Sequence, residues 1–134
     1  MNTSTSSADL LLDSVFRTSH HGIVVCRALR DPAGHIIDFQ VIRCNERATE
    51  IVRVPRERML TETMLTVDPE GINSGIFVTY CQVAETGLPM HIEHYYAEAG
   101  VWMTQSLARS GDDDVLASWI DITSQKRAEQ EKVH

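Results

Sequence analysis

The chain of 134 residues has no excess of positive charge: 12 lysines and arginines stand against 19 aspartates and glutamates, a formal net charge of −7. Nucleic acids and anionic membranes attract basic surfaces, so we expect neither as a partner. The longest apolar runs, such as 23–26, reach about four residues, whereas a membrane span needs about 20. The first seven residues have neither a basic start nor an apolar run, unlike a secretory signal.

Cysteine is also scarce, and Cys26, Cys44 and Cys81 show no C-x-x-C spacing. An odd count without a disulfide framework indicates buried thiols in a reducing compartment, so we expect a cytoplasmic location. Hydrophobic residues make up 43% and charged residues 23% of the chain, values typical of one globular domain.

Hydrophobic periodicity and turn residues predict an alternation of helices and strands. We expect a disordered polar leader at 1–7, then a helix to about residue 18, strands at 23–29 and 35–44, short helices from 45 to 68, a helix at 73–85, strands at 89–97, 101–108 and 115–122, and a polar helix from 125. Two strands, a helical block and three strands favour an α+β domain with one five-stranded antiparallel sheet and helices on one face.

Two stretches of sequence resemble a known family. The run 119–129, Trp-Ile-Asp-Ile-Thr-Ser-Gln-Lys-Arg-Ala-Glu, resembles the end of bacterial PAS sensor domains, whose last strand finishes in Asp-Ile-Thr and continues into a helix. The run 34–39, Gly-His-Ile-Ile-Asp-Phe, with Asn45 at the next helix start, is similar to an earlier stretch of the same family. The resemblance spans nearly the whole chain.

The resemblance implies the PAS fold, with sheet order 2-1-5-4-3 and a helical belt around a cavity. It places the PAS domain at 8–123 and the start of a connector helix at 124–134, leading to a covalently linked effector domain outside this chain. The domain itself would be a non-catalytic sensory and dimerisation module of a histidine kinase, a diguanylate cyclase or phosphodiesterase, or a transcription regulator.

The resemblance also implies that Asp121 and Thr123 tie the sheet to the connector helix and pass a signal to it. Both side chains can accept from amides at a helix start, so a plain helix cap is the alternative.

A ligand in the cavity is a further expectation, and a core filled by side chains is its alternative. Gln105 is informative because a polar side chain among apolar neighbours needs a partner, which a small molecule could supply. By the family's geometry and strand alternation, the cavity residues would be Phe77, Tyr80, Cys81, Met103, Gln105, Leu107, Ala117 and Trp119.

Known PAS cofactors are not expected. The flavin-binding branch needs a cysteine within the stretch that corresponds to 56–61, and none is present. The haem-binding branch uses a histidine of the long helix, where 72–85 offers only Cys81. His91 and His94 point to opposite faces of a strand, so we predict no metal site.

Two other hypotheses remain. A small cavity-containing α+β enzyme or ligand carrier would need an acid–base site, and His91, Glu93 and Tyr95 share one strand face. A homodimer is expected from the apolar N-terminal helix, whose interface residues would be Leu11, Leu12, Val15 and Phe16.

Overall fold

The computed structural model describes residues 7–132, and the side chains of residues 7–9 and 12 lie outside this description. Eleven helices and strands follow in order, with one 3-10 turn at Pro69–Gly71: α1 Ser7–Thr18, β1 Gly22–Arg30, β2 Ile36–Cys44, α2 Glu46–Val52, α3 Arg56–Thr61, α4 Met64–Val67, α5 Ile76–Thr86, β3 Met90–Tyr96, β4 Val101–Arg109, β5 Asp114–Asp121 and α6 Thr123–Lys132. Apart from Ser7, which lies in α1, the predicted leader falls outside the described residues.

The five strands form one antiparallel sheet in the order β2-β1-β5-β4-β3, which confirms the predicted α+β class and topology. β1 and β5 are the inner pair, in register from Gly22 opposite Trp119 to Arg27 opposite Asp114. Buried and exposed side chains alternate along β4, as expected for a sheet with one covered face.

The hairpin between β1 and β2 forms at the predicted turn. One carboxylate oxygen of Asp31 accepts from the backbone N–H groups of Ala33 at 3.0 Å and His35 at 2.9 Å. Gly34 has φ +91°, a conformation that glycine adopts without a steric cost. The His35 backbone bond is the main reason why the pKa of Asp31 is lowered.

The helices between β2 and β3 cover one face of the sheet. α2 packs on β1, α3 and α4 pack on β2, and α5 packs on all three C-terminal strands. Gln40 of β2 holds the α3–α4 segment, because its side-chain amide donates to the carbonyls of Met59 at 3.4 Å and Glu62 at 3.2 Å. The core lies between these helices and the sheet.

α5 begins three residues later than the sequence suggests. Its N-cap is Gly75, in a left-handed conformation with φ +85°, and residues 72–75 form a turn before it. The inward face of this helix consists of Ile76, Tyr80, Val83 and Ala84, which are buried.

Asn45 joins four segments through its side chain and is 3% exposed. Its Oδ1 accepts from the N–H groups of Ile23 and Ala48, both at 2.9 Å, so it joins β1 to the start of α2. Its Nδ2 donates to the carbonyls of Phe16 and His21, also at 2.9 Å, which fixes α1 and the linker. Every hydrogen-bonding position of this amide is used.

None of the helices within 7–132 combines the length and the apolar character that crossing a membrane requires.

We expect Asn45→Asp to lower the free energy of unfolding by about 2–4 kcal/mol. The substitution keeps the two acceptor bonds but replaces the two donated bonds by a buried carboxylate oxygen facing the carbonyls of Phe16 and His21. Urea unfolding followed by far-ultraviolet circular dichroism measures the change. Asn73→Asp makes the same substitution at an exposed turn and should cost less than about 0.5 kcal/mol. Equal stabilities of the two variants would contradict the role given to Asn45.

Candidate functional site

A chain of polar groups crosses the apolar core between α5 and the sheet. The Trp119 indole N–H donates to the Tyr80 hydroxyl at 3.4 Å, and that hydroxyl donates to Gln105 Oε1 at 2.9 Å. Gln105 Nε2 in turn points to Met103 Sδ at 3.4 Å. Burial raises the pKa of Tyr80, so its hydroxyl stays protonated and remains a donor. The partner that Gln105 requires is therefore Tyr80.

Beside this chain lies an inner cavity of about 80 Å³, enough for roughly six water-sized groups. Residues of all five strands line its floor, and α2 to α5 with their connections form its roof and sides. It is lined by Cys26, Val41, Val52, Met59, Glu62, Met64, Val67, Asp68, Ile76, Tyr80, His94, Tyr96, Met103, Gln105 and Trp119.

Four of the eight side chains predicted from the sequence line this cavity: Tyr80, Met103, Gln105 and Trp119. The other four do not. Leu107 and Ala117 are fully buried but pack farther along the sheet as core residues. Phe77 packs edge-to-face on Phe39 with ring centroids 5.9 Å apart, and Cys81 is half-buried on the side of α5 near Arg30 and Glu85.

The lining residues that come from the helical belt and from β3 were not predicted from the sequence. Asp68, His94 and Tyr96 stand between the inner cavity and a second, outer pocket of about 310 Å³, because they line both. We call these three residues the shared wall. Strand alternation already separates His94 from His91, but only the fold shows that His94 faces inward.

The polar residues on the other face of β3 do not form an acid–base site. His91 pairs with the Ser106 hydroxyl at 2.9 Å, and Glu93 forms an ion pair with Lys126 at 2.5 Å. All three predicted residues of this face, His91, Glu93 and Tyr95, are exposed on the outer side of the sheet, away from the cavity.

At the end of β5, the residues predicted for signal coupling connect the sheet to α6. The Thr123 hydroxyl accepts from the Trp102 backbone N–H at 3.1 Å, and the Ile122 N–H donates to the Trp102 carbonyl at 2.9 Å. The helix cap is Asp121, whose Oδ1 accepts from the Thr123 N–H at 2.9 Å. α6 begins at Thr123, whose hydroxyl bonds to β4 rather than to an amide of the helix.

A second contact holds α6 against the outer face of the sheet. Lys126 pairs with Glu93, and its ammonium nitrogen lies 5.1 Å from the centroid of the Trp102 ring. The Glu93 partner raises the pKa of Lys126. The ring of Tyr95 packs on Trp102 at a centroid distance of 5.2 Å. Apart from this lysine and Thr123, the described residues of α6 are exposed.

In the candidate dimer helix α1, two of the residues predicted for the interface are exposed and one is buried. Leu11 is 66% and Val15 46% exposed, so both are free to meet a partner. Phe16 is 5% exposed and lies under the Arg43 guanidinium, 4.2 Å from its ring centroid, so it packs within its own chain. The side chain of Leu12 lies outside the described part of the structure.

All three cysteines are free thiols, and two are buried. Burial is the main cause that raises the pKa of Cys26, which lines the cavity, to about 12. Burial likewise raises the pKa of Cys44 and Cys81. Thiolate chemistry at the cavity is therefore disfavoured near neutral pH.

The inner cavity does not fit a haem or a flavin. Pockets for cofactors and drug-sized ligands measure about 300–1,000 Å³, several times the volume found here. Within 7–132, no three histidine, cysteine, aspartate or glutamate side chains come together in a geometry that could hold a metal ion.

Comparison with solved structures finds the same fold in sensor domains. A domain of a sensory box sensor histidine kinase/response regulator from Geobacter sulfurreducens superposes with a TM-score of 0.61 at 18% identity, covering 85% of this chain and 94% of that one. A domain of an HTR-like protein from Haloarcula marismortui gives 0.60 at 15% identity, covering 78% and 100%. An RNA-binding light-oxygen-voltage receptor gives 0.63 at 13% identity, covering 97% of this chain but only 38% of the receptor.

No protein-family model and no curated protein matches the chain. The fold is nevertheless that of PAS- and LOV-type sensor domains, in agreement with the sheet order and the helical belt.

We expect Tyr80→Phe to lower the free energy of unfolding by about 1–3 kcal/mol, because it leaves the Trp119 N–H and the Gln105 carbonyl oxygen without their partner in the core. Tyr95→Phe removes the same hydroxyl from an exposed ring and is expected to change stability by less than about 0.5 kcal/mol. Urea unfolding followed by circular dichroism compares the two. If both variants lose the same amount, the buried polar chain contributes nothing.

Proposed function

We propose that the chain is a non-catalytic sensory PAS module that passes a change in its core to α6. The enzyme considered from the sequence receives less support. The candidate acid–base residues His91, Glu93 and Tyr95 lie outside the cavity, and two of them already have other partners.

The observation that carries the proposal is the register of β4 and β5. Gln105 and Trp119, which take part in the polar chain of the core, lie directly opposite each other on these strands. The next pair toward α6 on the same face is Met103 opposite Asp121, and Asp121 caps α6. A ligand or core change that shifts β4 against β5 therefore acts within two residues on the groups that hold the helix.

The contacts of α6 support a helix that can be released. Among the described residues, its polar attachments to the sheet are the Asp121 cap, the Thr123 hydroxyl, the Ile122 amide and the side chain of Lys126. The ion pair of Lys126 is partly exposed and is therefore screened by solvent, and its cation–π contact is likewise weakened by exposure. Such a contact is reversible at little cost.

In this proposal α6 leads to a covalently linked effector domain, and the module acts in the cytoplasm without contacting nucleic acid or membrane. A histidine kinase is the effector that the similarity to the Geobacter domain favours, and a diguanylate cyclase or phosphodiesterase is the other candidate. The ligand, when present, would be a small molecule rather than haem or flavin.

Amide hydrogen exchange of α6 tests the connection to the sheet. We expect Thr123→Val to raise the exchange rates of amides 126–130 by about tenfold, because the isosteric side chain no longer accepts from the Trp102 N–H. Thr61→Val removes a hydroxyl that bonds within α3 and should leave α6 unchanged. Unchanged exchange in Thr123→Val would contradict the role of this hydroxyl.

The signalling path itself is tested by the same measurement on core variants. Tyr80→Phe should alter exchange in α6 more than Val115→Ala, which also destabilises the core but lies at the opposite end of β5. Exchange in α6 that follows global stability alone, equally in both variants, would argue against a path from the cavity.

We further propose that the module forms a homodimer through the exposed face of α1, where Leu10 is 57%, Leu11 66% and Val15 46% exposed. Phe16 then stabilises the dimer indirectly, by fixing α1 to its own sheet.

Sedimentation equilibrium is expected to show a dimer for the unmodified chain and a monomer for Leu11→Glu, because a buried carboxylate at the interface would be unpaired. Val78→Glu introduces the same charge at an exposed apolar position of α5 and should leave the dimer intact. A monomer for the unmodified chain at high concentration would contradict the proposal.

A further inference from the structure

The three polar side chains of the shared wall lie at the boundary between the outer pocket and the inner cavity. Asp68 precedes the 3-10 turn, and His94 and Tyr96 lie two residues apart on β3, so their side chains share one face. Because all three line both spaces, a molecule that extends from the outer pocket into the inner cavity would contact them.

His94 is the unusual member of the wall. It is 9% exposed, and its ring takes part in none of the hydrogen bonds or ion pairs found among the described residues. Burial lowers the pKa of this histidine, which favours the neutral ring with one nitrogen free to accept a hydrogen bond. No side-chain nitrogen or oxygen among the described residues is both buried and unpartnered, so the ring nitrogens of His94 are open to the pocket space that the ring lines, where a ligand can reach them.

Asp68 gives the wall its charge. Its carboxylate accepts from the backbone N–H of Glu70, but it belongs to none of the ion pairs in the described part of the chain. Burial and the nearby Glu98 raise the pKa of Asp68, so the carboxylate lacks a compensating cation. Arg58 acts on Tyr96 and Glu98 rather than on Asp68, and its two bonds at 2.9 and 3.1 Å go to Glu62.

The same carboxylates act on Tyr96. Burial first, and then Glu98 and Asp68, raise the pKa of its hydroxyl to about 12. The ring therefore remains neutral, and its face can contact a cation. Glu70 and Glu98 complete an outer pocket that, among its described lining residues, has carboxylates and no lysine or arginine.

We propose that the inner cavity and the outer pocket bind a small primary alkylamine, with its ammonium group at Asp68, His94 and Tyr96 and its alkyl group in the inner cavity. The ligand class rests on the proposed sensory function, since it names what that module would detect. A metal ion fits poorly because, across 7–132, no three ligating side chains are suitably grouped. The inner cavity, lined by groups such as Met59, Met64 and Ile76, suits a short alkyl chain.

Titrations of the whole chain, followed by ¹H–¹⁵N correlation spectra, would compare butylamine, 1-butanol and butanoate at neutral pH. We expect butylamine to bind at least about tenfold more tightly than 1-butanol, because a charged hydrogen bond at a partly buried site is stronger than a neutral one. The shifted amides should lie in β3 and around residues 68–76. Equal binding of amine and alcohol, preferred binding of butanoate, or no binding of the amine would each overturn the proposal.

Asp68→Asn should remove most of the preference for butylamine over 1-butanol while retaining the bond from the Glu70 N–H. Asp112→Asn makes the same change in the exposed β4–β5 turn and should keep the preference. Glu98→Gln, at an exposed position, should weaken amine binding by about twofold to fivefold and supplies the test should Asp68→Asn fail to fold. Retention of the full preference in both pocket variants would overturn the assignment of the ammonium site.

The ligand and the signalling path fail in different ways. Amine binding that leaves hydrogen exchange of α6 unchanged would support the ligand site and contradict the sensory function. Absence of amine binding would overturn the ligand class, while the effect of Tyr80→Phe on α6 would still report on the path.

Discussion

The architecture depends on one side-chain amide. At its size, asparagine is the only residue whose side chain can accept two hydrogen bonds and donate two at once. Asn45 makes all four of these bonds, each to a backbone group of a separate segment. The packing around Asn45 is close and leaves no space for a side chain at Gly22. A Cβ on Gly22 would lie 2.9 Å from the Cα of Ala48, so α2 rests directly on the first residue of β1. Because α1, the linker, β1 and α2 meet here, the placement of the helical belt follows from this junction.

Much of this fold could be predicted, and the reasons are local. Alternation along β4 correctly placed Met103, Gln105 and Leu107 inside, because a sheet with one covered face imposes a period of two. The turn at Asp31 and Gly34 was visible from residue type alone. The sheet order, by contrast, came from the resemblance, since no local pattern specifies which strands are neighbours.

The cavity was predicted only in part, for a physical reason. Part of its roof comes from α3 and α4, helices of six and four residues, in which no hydrophobic period is long enough to define an inward face. Asp68 sits between such pieces, so its position near His94 depends on chain path rather than on pattern. The cap of α6 could not be predicted for a similar reason, because Asp121 and Thr123 are both residue types that cap helices. The backbone geometry decides that the Asp121 carboxylate accepts from the Thr123 amide, while the Thr123 hydroxyl accepts from the Trp102 amide.

The polar chain from Trp119 to Gln105 gives the core a specific geometry that apolar packing alone would not. Each of its members has a partner, so the chain is stable in a low-dielectric interior, yet each bond depends on the spacing between α5 and two strands. The cavity beside it means that this spacing is not fixed by close packing on every side. The specific hydrogen bonds of the core and the space that would allow them to change therefore lie at the same place in the sheet.

The pairing of Gly22 with Trp119 brings the start of β1 and the end of β5 to the same end of the sheet. The two flanking helices thus leave the domain from neighbouring points, a geometry that generally allows a domain to be inserted into a host without separating the host's two halves. A module built in this way can be gained, lost or duplicated between two helical segments of a longer protein while those segments keep their relative positions. The same property makes it a suitable part for constructing chimeric receptors.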